Sequence, residues 1–111
     1  MAVFPASAAG AWTGTIKQSD GRSWRLELSA PAGAHVGSVR YPELGCAGTL
    51  TLISVTVNTM RALEQITSGS CTPSGSVNLT PRADGGMDWS YLPDGDVYTA
   101  TGVLTRGTPT P

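Results

Sequence analysis

Few residues in this chain could carry chemistry. His35, the single histidine, sits beside the Ala30-Pro31-Ala32-Gly33 break, a setting that favours a surface position over a general base. One histidine and two cysteines cannot complete a zinc site, so neither metal nor cofactor is expected. Ser23, Ser38, Ser54 and Ser90 lack the Gly-x-Ser-x-Gly surroundings of a nucleophile elbow. Asp84, Asp88, Asp94 and Asp96 fall in turns or at strand ends, where turn capping explains them; a calcium site at Asp94-Gly95-Asp96 is the minor alternative. Paired carboxylates could serve glycoside hydrolysis, but sequence spacing does not give the separation that reaction needs.

Glu64 stands apart. It lies within a β-prone run between Leu63 and Ile66, and if it shares the face of Leu50 and Leu52 it is a buried acid. A buried carboxylate needs a partner or must stay protonated. Arg40 or Arg61 is the expected source of charge, and the structural alternatives are a core ion pair or a solvent-facing side chain. Trp24, Tyr41, Trp89, Tyr91 and Tyr98 add flat apolar faces with a polar handle, the kind that sugars and cyclic ligands use. Their competing role is to fill a small barrel, which leaves little spare room. The candidate binding set is Tyr41, Glu64, Trp89 and Tyr91.

These residues must be positioned by strands. The chain has 111 residues, with fourteen glycines and eight prolines, the composition of short strands and many turns. Charged residues make up 14% and the net charge is −1, which gives no electrostatic footprint for nucleic acid. No apolar run approaches the ~20 residues of a membrane span, so no membrane insertion is expected. Residues 1–10 read as a tail or linker, 11–106 as one β-domain and 107–111 as a second tail. The composition suits an extracellular or cell-surface domain excised from something longer. Oligomeric state is not encoded in any pattern.

Along the chain, Trp12, Gly14 and Ile16 share a face, and Asp20-Gly21 is a strong hairpin turn. Trp24, Leu26 and Leu28 alternate with Arg25 and Glu27. Gly37, Val39 and Tyr41 are placed inward on a third strand that Pro42 ends. Thr49 to Val57 and Met60 to Thr67 form a hairpin about Asn58-Thr59, although residues 59–65 would also suit a helix. Val77 and Leu79, then Met87, Trp89 and Tyr91, then Ala100, Gly102 and Leu104 give three further inner faces. Eight short strands about every 12 residues fit an antiparallel up-and-down barrel, with a two-sheet sandwich as the alternative.

Cys46 and Cys71 are nearly equidistant from the Asn58-Thr59 turn, so the hairpin brings them toward the ~5.5 Å Cα separation of a disulfide. Two buried free thiols are the alternative. Gly10-Ala11-Trp12 at the first strand and Arg106 at the last resemble the calycin closure, in which a Gly-x-Trp packs beneath a late arginine. The mouth is then expected at the far end, with the Asp20-Gly21 turn, the 41–45 corner and the loop after Gln65. The Asp84-Gly85-Gly86 turn is placed with them, which requires one irregular connection.

A second resemblance covers about residues 12–106. Trp12-Thr-Gly-Thr, the core Tyr41-Pro-Glu-Leu-Gly-Cys-Ala-Gly-Thr-Leu50, Leu63-Glu-Gln-Ile-Thr, Cys71 and Ala100-Thr-Gly-Val-Leu-Thr-Arg106 are together similar to the extracytoplasmic module at the C-terminal end of actinobacterial serine/threonine protein kinases and related secreted proteins. The resemblance implies an outside-facing sensor or binding module with a Cys46–Cys71 bridge, and no kinase activity, since the kinase motifs are absent. The partner expected is a small molecule or a glycan. A barrel enzyme of cyclase or isomerase type, with Glu64 or Tyr41 as acid/base, is the second hypothesis; a structural or inhibitory protein acting through its outer surface is the third. A ligand-sized apolar lumen with an inward acid would favour the enzyme, and a filled core with an exposed aromatic patch would favour glycan or protein binding.

Overall fold

In the computed structural model, which describes residues 2–93 and 98–107, eight strands close into one antiparallel barrel in sequence order. They are β1 (Gly10–Gln18), β2 (Ser23–Ala30), β3 (Val36–Tyr41), β4 (Cys46–Val55), β5 (Met60–Ser68), β6 (Ser74–Pro81), β7 (Met87–Pro93) and β8 (Ala100–Arg106). Residues 60–65 are strand, and Thr59 lies in the turn before them, so this segment is not helix: β4 exposes a full row of backbone donors that only an adjacent strand satisfies. Closure comes from β1 against β8, with Trp12 opposite Arg106 and Gln18 opposite Ala100. The sandwich alternative is thereby excluded.

Strict alternation decides what lies inside. β3 reads exposed–buried in turn, with Gly37, Val39 and Tyr41 inward, and Leu26, Leu28, Leu50, Leu52, Val77, Leu79 and Leu104 fill the lower interior. Arg40 therefore points outward, where it pairs with Glu27 at 3.1 Å across β2 and β3. Arg61 is exposed as well. Neither arginine reaches Glu64, which corrects the expected ion pair.

A regular meander places every second connection at the same end. The β2–β3, β4–β5 and β6–β7 connections lie at the floor; the turn after β1, the corner after β3 and the loop after β5 lie at the mouth. The Asp84-Gly85-Gly86 turn belongs to the floor, because no connection is irregular in the way its expected placement required. There Asp84 accepts from the Gly86 N–H at 2.9 Å, and Arg82 bridges Asp84 and Asp88.

The segment expected as an N-terminal tail is packed. Phe4 is 1% exposed, its ring lies against the inward face of Gly37, and its backbone exchanges hydrogen bonds with the Gly33–Ala34 loop at 2.9 Å each. A short 3-10 turn, Ala6–Ala8, follows. The Trp12 Nε1–H donates to Ala8 O at 2.9 Å, and Arg106 donates to Ser7 O at 2.7 Å and Ala9 O at 2.5 Å. The Arg106 guanidinium stands 4.4 Å from the centre of the buried Trp12 ring. This floor is a plug of apolar and cation–π contacts. Of the expected C-terminal tail only Gly107 is described, and its N–H donates to Ala11 O. No described helix is long and apolar enough to cross a membrane.

Candidate functional site

The upper interior is open. Where the lower barrel is filled by leucines, the mouth half holds a cup of about 460 Å³ whose lining includes Ile16, Gln18, Trp24, Tyr41, Leu44, Glu64, Trp89, Tyr91 and the Cys46–Cys71 bridge. All four candidate binding residues reach this one cavity, each from a different wall or depth.

Tyr41 ends β3, and the Pro42–Leu44 3-10 turn leaves the strand immediately after it. Gly45 adopts φ 66°, a left-handed conformation that costs glycine little, and so reverses the chain into Cys46. The corner is tied to its neighbours twice: Glu43 Oε1 accepts the Arg25 N–H at 2.6 Å, and Cys46 is bonded to Cys71, with Cα atoms 6.2 Å apart. Together these hold the Tyr41 phenol over the cup.

Glu64 faces inward from β5 opposite Leu50, which meets the condition for a buried acid and sets aside the solvent-facing alternative, and is 2% exposed. Its partner is not an arginine. The Tyr41 hydroxyl donates to Glu64 Oε2 at 2.5 Å, across the inward face of β4. Burial raises the Glu64 carboxyl to about 7, and the hydrogen bond from Tyr41 opposes that rise without cancelling it. Tyr41 is pushed far above the ordinary phenol range by burial first and by the adjacent Glu64 second, so it remains a donor.

Tyr91 comes from β7, one strand beyond β6. Gly75, paired with Glu64, is the reason it can reach: the Tyr91 ring lies over the space a side chain there would occupy. Tyr91 is half-buried and donates to Ser74 O at 3.5 Å. Trp89 is 1% exposed, and its indole Nε1–H finds no acceptor among the described residues. A buried, unmatched donor on a cavity wall is costly, by about 1–3 kcal/mol. At the rim, the Arg22 guanidinium stands 5.9 Å from the centre of the half-buried Trp24 ring.

Trp12 and Arg106 lie at the opposite end and take no part in the cup. His35 is half-buried at the floor, where its Nδ1 lies 2.8 Å from Ala2 O. Among the described residues no three His, Cys, Asp or Glu side chains gather as a metal site; the Asp94-Gly95-Asp96 candidate lies outside the described residues. The contribution of Tyr41 as partner to Glu64 is the feature that residue pattern alone missed. Its signal was parity: alternation turns both Arg40 and Arg61 away from the face that Tyr41 and Glu64 share.

No family model matches the chain, and no curated protein matches it. Among solved structures it is similar to a redesigned β-barrel, at 16% identity and a TM-score of 0.73, over 96% of this chain and 100% of that one. At that identity the likeness shows the barrel fold and nothing about a ligand.

Proposed function

We propose that this barrel is an extracytoplasmic binding or sensor module that holds a small molecule in the cup at its mouth. The observation that carries this reading is the cup itself, an aromatic-lined cavity whose lining holds the buried Glu64 acid, its Tyr41 phenol partner and Trp89, whose buried indole N–H finds no acceptor among the described residues. A filled barrel would have needed none of these polar groups inside. The Cys46–Cys71 bridge fits a secreted or extracellular domain, because such bonds persist where the surroundings are oxidising. The resemblance of residues 12–106 to the kinase-associated extracytoplasmic module supports the same location and a sensing role.

The test is a screen of intrinsic tryptophan fluorescence against sugars, peptidoglycan fragments, amino acids and small amines. The expected result is a saturable change with one class, weakened about tenfold or more in Trp89→Phe. If no class produces a saturable change, the cup is not a binding site and the outer surface is the working part.

A second reading has its own observation. Glu64, held at about 7 and hydrogen-bonded to Tyr41, is poised for proton transfer near neutral pH, as a cyclase or isomerase would require. The lining is mixed, however, with Gln18, Ser70 and Thr72 beside the aromatic residues, so it is not the apolar lumen that would favour catalysis most. Turnover of a bound ligand, abolished in Glu64→Gln while binding persists, would establish the enzymatic reading.

A further inference from the structure

The cup contains an acid that the chain does not pair with a cation: the one arginine in its lining, Arg22, lies over the Trp24 ring at the rim. Among the described residues the ion pairs join Arg40 to Glu27 and Arg82 to Asp84 and Asp88, all on the outer surface, and none involves Glu64. Around Glu64 the chain places Leu50 from β4, Gly75 from β6, the Tyr41 hydroxyl from β3 and the Tyr91 ring from β7. Trp24 and Trp89 add aromatic walls to the same cavity. Aromatic faces carry negative quadrupole charge, so they attract a cation and disfavour an anion. A desolvated carboxylate does the same, more strongly. Two independent features of one cavity therefore ask for positive charge.

Other ligand classes fit less well. An anion would meet Glu64 directly. A neutral sugar could satisfy hydrogen bonds with Glu64 protonated, but it would draw nothing from the attraction of the carboxylate and the rings for positive charge. A hydrated metal ion would need several oxygen ligands, and the cup provides one carboxylate. An ammonium group answers both the carboxylate and the rings. The unmatched Trp89 Nε1–H then calls for an acceptor oxygen on the same molecule.

We propose that the cup selects a small organic ammonium ion bearing a hydroxyl or carbonyl oxygen, its cationic head against Glu64 and the aromatic walls and its oxygen toward Trp89. The inference rests on the small-molecule reading above and specifies its ligand class. Because a cation favours ionised Glu64, binding releases a proton wherever the free protein still holds one, and burial keeps that proton on to about pH 7. The other titratable groups facing the cavity are Tyr41 from β3, Tyr91 from β7, and Arg22 and Tyr98 nearer the rim. Cys46 and Cys71 are bonded to each other and do not titrate.

The experiment compares shapes that differ only in charge. Choline is titrated calorimetrically against its uncharged isostere 3,3-dimethylbutan-1-ol, and 2-aminoethanol against ethane-1,2-diol. At least one ammonium should bind more tightly than its neutral counterpart by about tenfold or more. Its affinity should fall about 100-fold between pH 8 and pH 5 as Glu64 takes up its proton. Glu64→Gln keeps the hydrogen bond from Tyr41 and should lose the pH dependence and most of the preference, leaving only the part the aromatic walls supply. If that variant does not fold, the wild-type isostere pairs and pH profile decide the matter. Equal binding of cation and isostere overturns the charge inference and leaves the small-molecule reading standing. Failure of both ammonium ions at millimolar concentration overturns the inference too; the small-molecule reading falls with it only if every class in the fluorescence screen is silent.

Discussion

At the scale of single residues, Glu64 sets the pH response of the molecule. Its carboxyl moves from 4.5 to about 7 on folding because burial disfavours the charged form. The folded chain thus holds a proton that the unfolded chain releases. The stabilisation is complete below the unfolded value and is lost as pH rises through the folded one. Denaturant unfolding of the wild type should show stability falling by about 3 kcal/mol between pH 4.5 and pH 7, with Glu64→Gln flat over that window. A wild-type profile parallel to that of the variant would mean Glu64 stays ionised in the fold. The sequence makes Glu64 a buried acid only if it shares the face of Leu50 and Leu52, and the register that pairs it with Leu50 meets that condition. It does not show Tyr41 as the partner. That contact joins β3 to β5 over an intervening strand, and pattern along a strand reports which face a residue takes, not which residue lies across the lumen.

At the scale of elements, the floor is the surprise. Phe4 lies in a run of Ala, Ser and Pro with no alternation, so nothing periodic marks residues 2–9 as structured. Their order comes from tertiary contact: an apolar ring enters the space above Gly37, and the carbonyls of Ser7, Ala8 and Ala9 satisfy Arg106 and Trp12. Phe4→Ala should cost about 3–5 kcal/mol in chemical denaturation, as expected for removing a fully buried ring from a site that cannot collapse. A loss under about 1 kcal/mol would show that the segment is only draped over the floor. The Trp12–Arg106 stack, by contrast, is readable from the chain, because both residues sit at the ends of strands that any closed meander must pair. The misplaced Asp84 turn has the same root: counting connections fixes the end at which each turn lies, and turn composition does not.

At the scale of the whole molecule, closure and the bridge act on different parts of the problem. Pairing β1 with β8 leaves no free edge, which protects an all-β chain from edge-to-edge association. The Cys46–Cys71 bond spans 25 residues, all of β4, β5 and their turn, and stabilises chiefly by restricting the unfolded chain. Replacing both cysteines by serine should lower stability by about 3 kcal/mol and loosen the cup wall that the bridge forms. An unchanged unfolding midpoint would argue that the hairpin alone supplies the constraint. Fold class and bridge were legible because strand count, turn spacing and cysteine placement agree; the open upper half was not, because volume depends on how side chains of eight strands meet. The plugged floor has one more consequence. Ala2 and Gly107 both lie there, on the side away from the cup. Anchored through Ala2 or through Gly107, the barrel stands like a goblet on its foot, with its rim on the side away from the point of attachment.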